Sequence, residues 1–158
     1  MNIKSIKTWS ENLELTKPYS IAYETINSVE NVFVELELDN GIKGFGSGSP
    51  AEFVTGESID SCNSILKTET KEILDKRDIE DIELICDNLK NRWPRNPAAR
   101  TAVDIALYDA LSKLKGIPLV QLLGKSHESF YTSVTIGIKS IESAQKEAEE
   151  YVGRGFRI

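Results

Sequence analysis

The stretch "NPAARTAVDIALYDALSKLKGIPLVQLLG", residues 96–124, decides the fold. Ala99, Ala102, Val103, Ala106, Leu107, Ala110, Leu111 and Leu114 recur at intervals of three and four, the spacing of one helix face. Asn96 suits an N-cap, and Pro97 suits the first helical position, where a missing N–H costs nothing. Gly116 reads as the C-terminal stop, with Pro118 just beyond it. A helix from Ala98 to Lys115 would run roughly 27 Å. Alanines at 98, 99, 102, 106 and 110 keep it slim, so another backbone can pack closely against it.

Upstream, "RDIEDIELICDNLKNRW" predicts a helix with Asp78 as its cap and Ile79, Ile82, Ile85 and Leu89 as its apolar stripe. "ESIDSCNSILKTETKEIL" predicts one or two more. The first fifty or so residues read as β. Val32, Val34, Leu36 and Leu38 alternate with Asn31, Phe33, Glu35 and Glu37, which is a half-buried strand. Asp39-Asn40-Gly41 is a hairpin turn, and a partner strand starts at Ile42. "IKSIKTW" is a third, weaker strand, and "TKPYSIAYETINS" has no periodicity and reads as a loop. Downstream, "TSVTIGI" reads as a strand and "SIESAQKEAEEYVGRG" as a helix starting near Ser140 or Ser143. "FRI" then opens another strand, giving the strand–helix–strand grammar of a parallel sheet.

The bulk numbers narrow the function classes. The chain has 158 residues, 40% hydrophobic and 28% charged, which describes a globular protein rather than a disordered one. A formal net charge of −6 without any basic run argues against nucleic acid as a partner. No apolar stretch approaches the ~20 residues of a membrane span, and "MNIKSIKTWSENLELTKP" lacks the continuous apolar core of a signal peptide. Cys62 and Cys86 have neither CxxC spacing nor a His nearby, so each reads as a small core residue in a reducing cytoplasm rather than a metal or redox site. His127, in "GKSHESF", reads as a solvated loop residue.

These segments carry a resemblance. The stretch from Pro97 to Gly124 resembles the last long helix of the capping domain in the enolase superfamily, most closely the muconate-lactonizing subgroup. "VTGES" (Val54–Ser58), after a glycine-rich strand and "SPAEF", is similar to the dipeptide epimerases of that subgroup, as is "KPYSIAYET" followed by "NVFVEL". The resemblance implies an α+β capping domain, an antiparallel sheet plus helices, over residues 1–125. Residues 126–158 would then begin a (β/α)8-type barrel, with "TSVTIGI" as its first strand, "SIESAQKEAEEYVGRG" as its first helix and "FRI" opening its second strand. On this reading the chain is the front of a longer enzyme.

The activity so implied is Mg2+-dependent epimerisation of a dipeptide, in which Cα loses a proton to one base and regains one from another through a metal-stabilised enolate. The family's acidic ligands and lysines would lie beyond residue 158. No catalytic residue and no metal ligand is therefore assigned here, the Asp and Glu present read as solvated surface, and the chain by itself is expected to be inactive. N-acylamino acid racemisation, o-succinylbenzoate synthesis and cycloisomerisation stay open, as does a non-catalytic capping module. A small-molecule dipeptide is the implied partner, with a homo-oligomer as the implied assembly.

What the resemblance assigns to this chain is substrate recognition. Two cap loops would close over the barrel mouth and exclude water. The first is Lys17–Thr25, with Tyr19, Ile21, Tyr23 and Glu24 as contacts; the second is Ser49–Glu57, with Phe53, Val54 and Thr55. Thr135 matches a barrel-strand position that approaches the substrate. The bland alternatives are loops packed onto their own domain and an ordinary β-branched strand residue. Two departures stand out: Ser47 follows Gly46 where the family often has Glu, and Glu24 is acidic where Ala-Glu epimerases tend to carry a cation. The acid would repel a substrate carboxylate and favour a cationic or neutral end.

Overall fold

The computed structural model describes residues 1–22 and 24–157. Three strands, β1 (Ile3–Ser20), β2 (Thr25–Leu38) and β3 (Lys43–Gly48), form one sheet in the order β1-β2-β3. The alternation read from sequence is the one built: Val32, Val34, Leu36 and Leu38 are buried, while the residues between them are half-buried. β2 and β3 pair antiparallel, with Val32 opposite Gly48, Val34 opposite Gly46 and Leu36 opposite Gly44. Gly41 takes φ 85° in the connecting turn, and the Asn40 side chain accepts from Ile42 N–H at 3.1 Å. On the half-buried face Trp9 stacks on Phe33 at 5.4 Å.

"TKPYSIAYETINS" is not the loop expected. Lys17–Ser20 continues β1, and Thr25–Ser28 opens β2. The stretch buries neither face consistently, so it shows no period, and its strand character comes from the neighbouring backbone instead. Pro18 is tolerated there because β1 is an edge strand.

The glycines of β3 exist for the helix that packs on them. That helix, the expected long one, runs Pro97–Lys115 and is α4 in chain order, after α1 (Glu52–Thr55), α2 (Ile59–Leu74) and α3 (Ile82–Arg92). A Cβ on Gly44 would stand 2.1 Å from Ala106 O, on Gly46 2.0 Å from Ala102 O, and on Gly48 2.2 Å from Ala98 O. No side chain fits between these backbones. Asp109 of α4 accepts from Phe45 N–H at 2.8 Å, which satisfies a donor on the open edge of β3.

The helix ends are partly as read and partly not. Gly116 closes α4 in the left-handed region at φ 66°, and Ser58 caps α2 by accepting from Ser61 N–H. Asp78 accepts from Glu80 N–H at 3.0 Å, but it caps a short 3-10 turn, Ile79–Asp81, that leads into α3. Asn96 stands at the start of α4 without a side-chain capping bond. Glu57 replaces it, accepting from Ala98 N–H at 2.6 Å and from Asn96 Nδ2 at 3.1 Å. Its carboxylate is fully buried, which corrects its reading as solvated surface, and it faces the positive end of the helix.

Beyond α5 (Leu119–Leu122), residues 125–140 have no regular secondary structure, and α6 (Ile141–Gly153) follows, capped by Ser140. "TSVTIGI" therefore joins no ladder among the described residues, although Val134 and Ile136 are half-buried between exposed Ser133 and Thr135. A strand is defined by its partners, and among the described residues one backbone bond is made here, Ile138 N–H to Ser20 C=O at 2.9 Å.

The chain divides into two compact units. The first, Met1–Asn12 with Glu30–Gly124, holds the apolar core, from Ile3 and the β2 valines through Trp93 to the α4 alanines. The second, Leu13–Val29 with Lys125–Ile158, contains the far end of the β1–β2 hairpin and α6. Among its described residues Glu147 alone is buried.

Two stability measurements follow from this packing. Gly46→Ala should destabilise by about 3 kcal/mol, because the atoms it meets are helix backbone and cannot move aside. Gly41→Ala, with open space but φ 85°, should cost only about 1 kcal/mol. Urea midpoints in the reverse order would refute the close-approach argument. Likewise, Glu57→Ala should cost about 2 kcal/mol by leaving Ala98 N–H buried and unpaired, while Glu57→Gln, which keeps an acceptor, costs less. Equal denaturation midpoints for these two variants would count against the capping role.

Candidate functional site

The second unit gathers part of the expected recognition set. Tyr19, on the β1 arm of the hairpin, and Thr135 line one cavity of about 350 Å3 together with Lys17, Pro18, Gly137, Lys139, Glu147 and Tyr151. Thr135 is exposed into it, and Tyr19 is partly exposed. Gly137 lets the two segments meet: a Cβ there would stand 3.0 Å from Tyr19 Cβ and 3.3 Å from Ser20 N and O. Ile21 and Glu24 close the tip of the hairpin, Ile21 N–H donating to Glu24 C=O at 2.9 Å. Ser20 and Thr25 join below them through their hydroxyls at 2.8 Å. Ile21 is half-buried and Glu24 is exposed. Tyr23 lies outside the described residues.

The other expected contacts belong to the first unit. Phe53, Val54 and Thr55 sit on the single turn of α1, closed by Gly56 at φ 73°. Phe53 is 77% exposed and Val54 68%, so neither aromatic nor aliphatic side chain is spent on packing its own loop. Thr55 Oγ1 donates to Ala51 C=O at 3.1 Å. Ser47 stands half-buried in β3 opposite Phe33.

One residue of the cavity escaped the sequence reading. Glu147 is 7% exposed and bonded on both oxygens: Oε1 accepts from Lys17 Nζ and, at 3.3 Å, from Tyr151 OH, while Oε2 accepts from Lys139 Nζ. Lys139 and then Lys17 hold its carboxyl down at about 2, and Glu147 in return raises the Lys17 ammonium above its ordinary range. The signal was available. Ala144, Glu147, Ala148 and Tyr151 form the inward stripe of α6, and an acid in that phase calls for a cation.

The residues present do not fit the three-carboxylate Mg2+ site that the resemblance implies. Among the described residues no group of three or more His, Cys, Asp or Glu could hold a metal ion. The two buried carboxylates have no oxygen to spare, since Glu57 is bonded to amides and Glu147 to ammonium groups. No chemical step is therefore derived through a metal here. Cys62 and Cys86 are free, and burial pushes both thiols up to about 12, with Glu57 beside the first and Asp104 beside the second. They are poor nucleophiles at neutral pH. His127 is exposed. No helix among the described residues is long and apolar enough to cross a membrane.

The chain is similar to known proteins. An L-Lys-D/L-Arg epimerase from Desulforapulum autotrophicum is 51% identical over all of this chain, which covers 45% of that protein. An L-Ala-D/L-Glu epimerase from Bacillus subtilis is 32% identical over 99% of the chain and 43% of its own length. Among solved structures, a dipeptide epimerase from Methylococcus capsulatus complexed with Mg and the dipeptide L-Arg-D-Lys superposes with a TM-score of 0.94 at 41% identity, over 99% of this chain and 44% of that one. The chain thus spans somewhat less than half the length of the relatives it matches. The sheet, the glycine-bearing strand and the alanine-lined helix all fall within residues 3–124, which match the mandelate racemase / muconate lactonizing enzyme N-terminal domain, and the chain belongs to that family.

Proposed function

We propose that this chain is the substrate-recognising region of a Mg2+-dependent dipeptide epimerase that acts on dipeptides with cationic side chains. Residues 1–125 serve as its cap and residues 126–158 begin its barrel. The observation that carries the reading is Glu24, an exposed acid at the tip of the hairpin, in a chain 51% identical to a protein that epimerises L-Lys-D/L-Arg. A carboxylate at a recognition position attracts an ammonium or guanidinium and repels a second carboxylate, and exclusion of water by a closed lid strengthens both effects. Tyr19, Ile21, Tyr23 and Glu24 of the hairpin, Phe53, Val54 and Thr55 of α1, and Thr135 are the proposed substrate contacts. The groups that take and return the Cα proton, and the Mg2+ ligands, are assigned beyond residue 158.

The test is a dipeptide panel in deuterated water with Mg2+, using the full-length protein and following Cα exchange by NMR. Lys-Arg should be exchanged with kcat/KM about 100-fold or more above Ala-Glu, because juxtaposed like charges cost several kcal/mol. Glu24→Arg should narrow that ratio by about tenfold or more. Equal turnover of Ala-Glu and Lys-Arg would overturn the cationic assignment, and exchange of N-succinyl-lysine without any dipeptide would overturn the dipeptide assignment.

A further inference from the structure

The hairpin arm has little of its own to hold it. From Leu13 to Ser20 only Leu15 and Ser20 are even half-buried, and the second unit has no buried apolar side chain among its described residues. A two-stranded hairpin without an apolar face is marginal in water. Within this unit the arm is nevertheless tied at Lys17, Tyr19 and Ser20. Gly137 admits Tyr19 and Ser20 at distances where a Cβ would be tight, at 3.0–3.3 Å, Ile138 N–H donates to Ser20 C=O at 2.9 Å, and Lys17 reaches Glu147. Glu147 is the hub, because it also holds Lys139 from the segment just before α6 and Tyr151 from one turn further along it.

We propose that Glu147 is a positioning residue for substrate recognition, which clamps the hairpin arm through Lys17 and so sets where Tyr19 and Glu24 stand relative to Thr135. The clamp deepens the functional reading above and rests on it. Its logic is electrostatic. One buried carboxylate compensates two ammonium groups, so removing the carboxylate leaves two cations side by side with nothing between them. Removing Lys17 is milder, since Glu147 keeps Lys139 and α6 keeps its packing, and it therefore releases the hairpin without unfolding the helix. The arm up to Ser20 is thereby a fixed element that anchors the adjoining tip, and any adaptation to a substrate is confined to the few residues beyond it.

The experiment uses the full-length protein and the variants Glu147→Gln, Lys17→Met and Lys17→Arg, read by amide exchange and by kinetics on Lys-Arg. The Ile138 amide should exchange about tenfold faster in Glu147→Gln and Lys17→Met, as expected when a held state becomes one of several, while first-unit amides such as that of Leu36 stay protected. KM should rise by about tenfold with kcat within about twofold, because the binding-competent fraction falls while the chemistry is untouched. Lys17→Arg, which keeps the cation, should restore both readouts. Unchanged exchange at Ile138 in the first two variants would overturn the clamp, whatever the activity. Faster exchange with unchanged KM would overturn its role in recognition. An unmodified protein inactive on every dipeptide would sink the proposed function alone, and the exchange measurement would still decide the clamp.

Discussion

Between Gly44, Gly46 and Gly48 on one side and Ala98, Ala102 and Ala106 on the other, two backbones meet with no side chain between them. The match is geometric. Two residues along a strand advance about 6.7 Å and four along a helix about 6 Å, so each alternate glycine meets every fourth residue of α4. The β2 side chains paired with those glycines, Val32, Val34 and Leu36, are buried in the same apolar core as the helix alanines. Everything else in the first unit takes its place from this contact. The start of α4 is where Glu57 is bonded, and α2 begins one residue later at its Ser58 cap.

The two buried carboxylates do the same job in different places. Glu57 ties an inter-helix loop to the start of α4, and Glu147 ties a hairpin arm to α6. Each has both oxygens engaged, which is the condition under which a buried charge is tolerated at all. For the same reason neither is free to coordinate a divalent cation or move a proton. The chain spends its buried charge on holding segments in register, and that suits a region whose proposed task is recognition rather than proton transfer.

Much of this was legible in the sequence, and the misses have causes. The long helix, its Pro97 start and Gly116 stop, the β2 alternation and the Asp39–Gly41 turn all follow from local chemistry within a few residues. The slim alanine face even implied a backbone partner. Asn96 holds the N-cap position of α4 as read, but the capping bond comes from Glu57, which arrives from 41 residues away and so was not visible locally. The outer hairpin was read as a loop because its strands bury neither face, so periodicity carried no information. "TSVTIGI" erred the other way, since alternation marks a face and says nothing about partners. Of the recognition set, Tyr19 and Thr135 are brought to one cavity, but Glu147 was lost in a count of surface acids although its helical phase pointed inward.

If the hairpin is the recognition element proposed, its near lack of buried side chains has a consequence for how substrate preference would change. Substitution of a core residue such as Leu36 or Ala106 disturbs tight packing and costs stability. Substitution at the hairpin tip meets mostly solvent, so its effect on the fold is small, and on the proposed reading it would act on a docked substrate instead. Selection for a new side chain on the substrate can therefore act at Ile21 or Glu24 without passing through an unstable intermediate. The constraint is displaced to the points that hold the hairpin: Gly137, where a Cβ would fit only tightly beside Tyr19 and Ser20, and Glu147, whose loss would leave Lys17 and Lys139 without their shared carboxylate. On the proposed reading, this distribution of burial separates substrate preference, at the exposed tip, from the contacts at Lys17 and Ser20 that hold the arm.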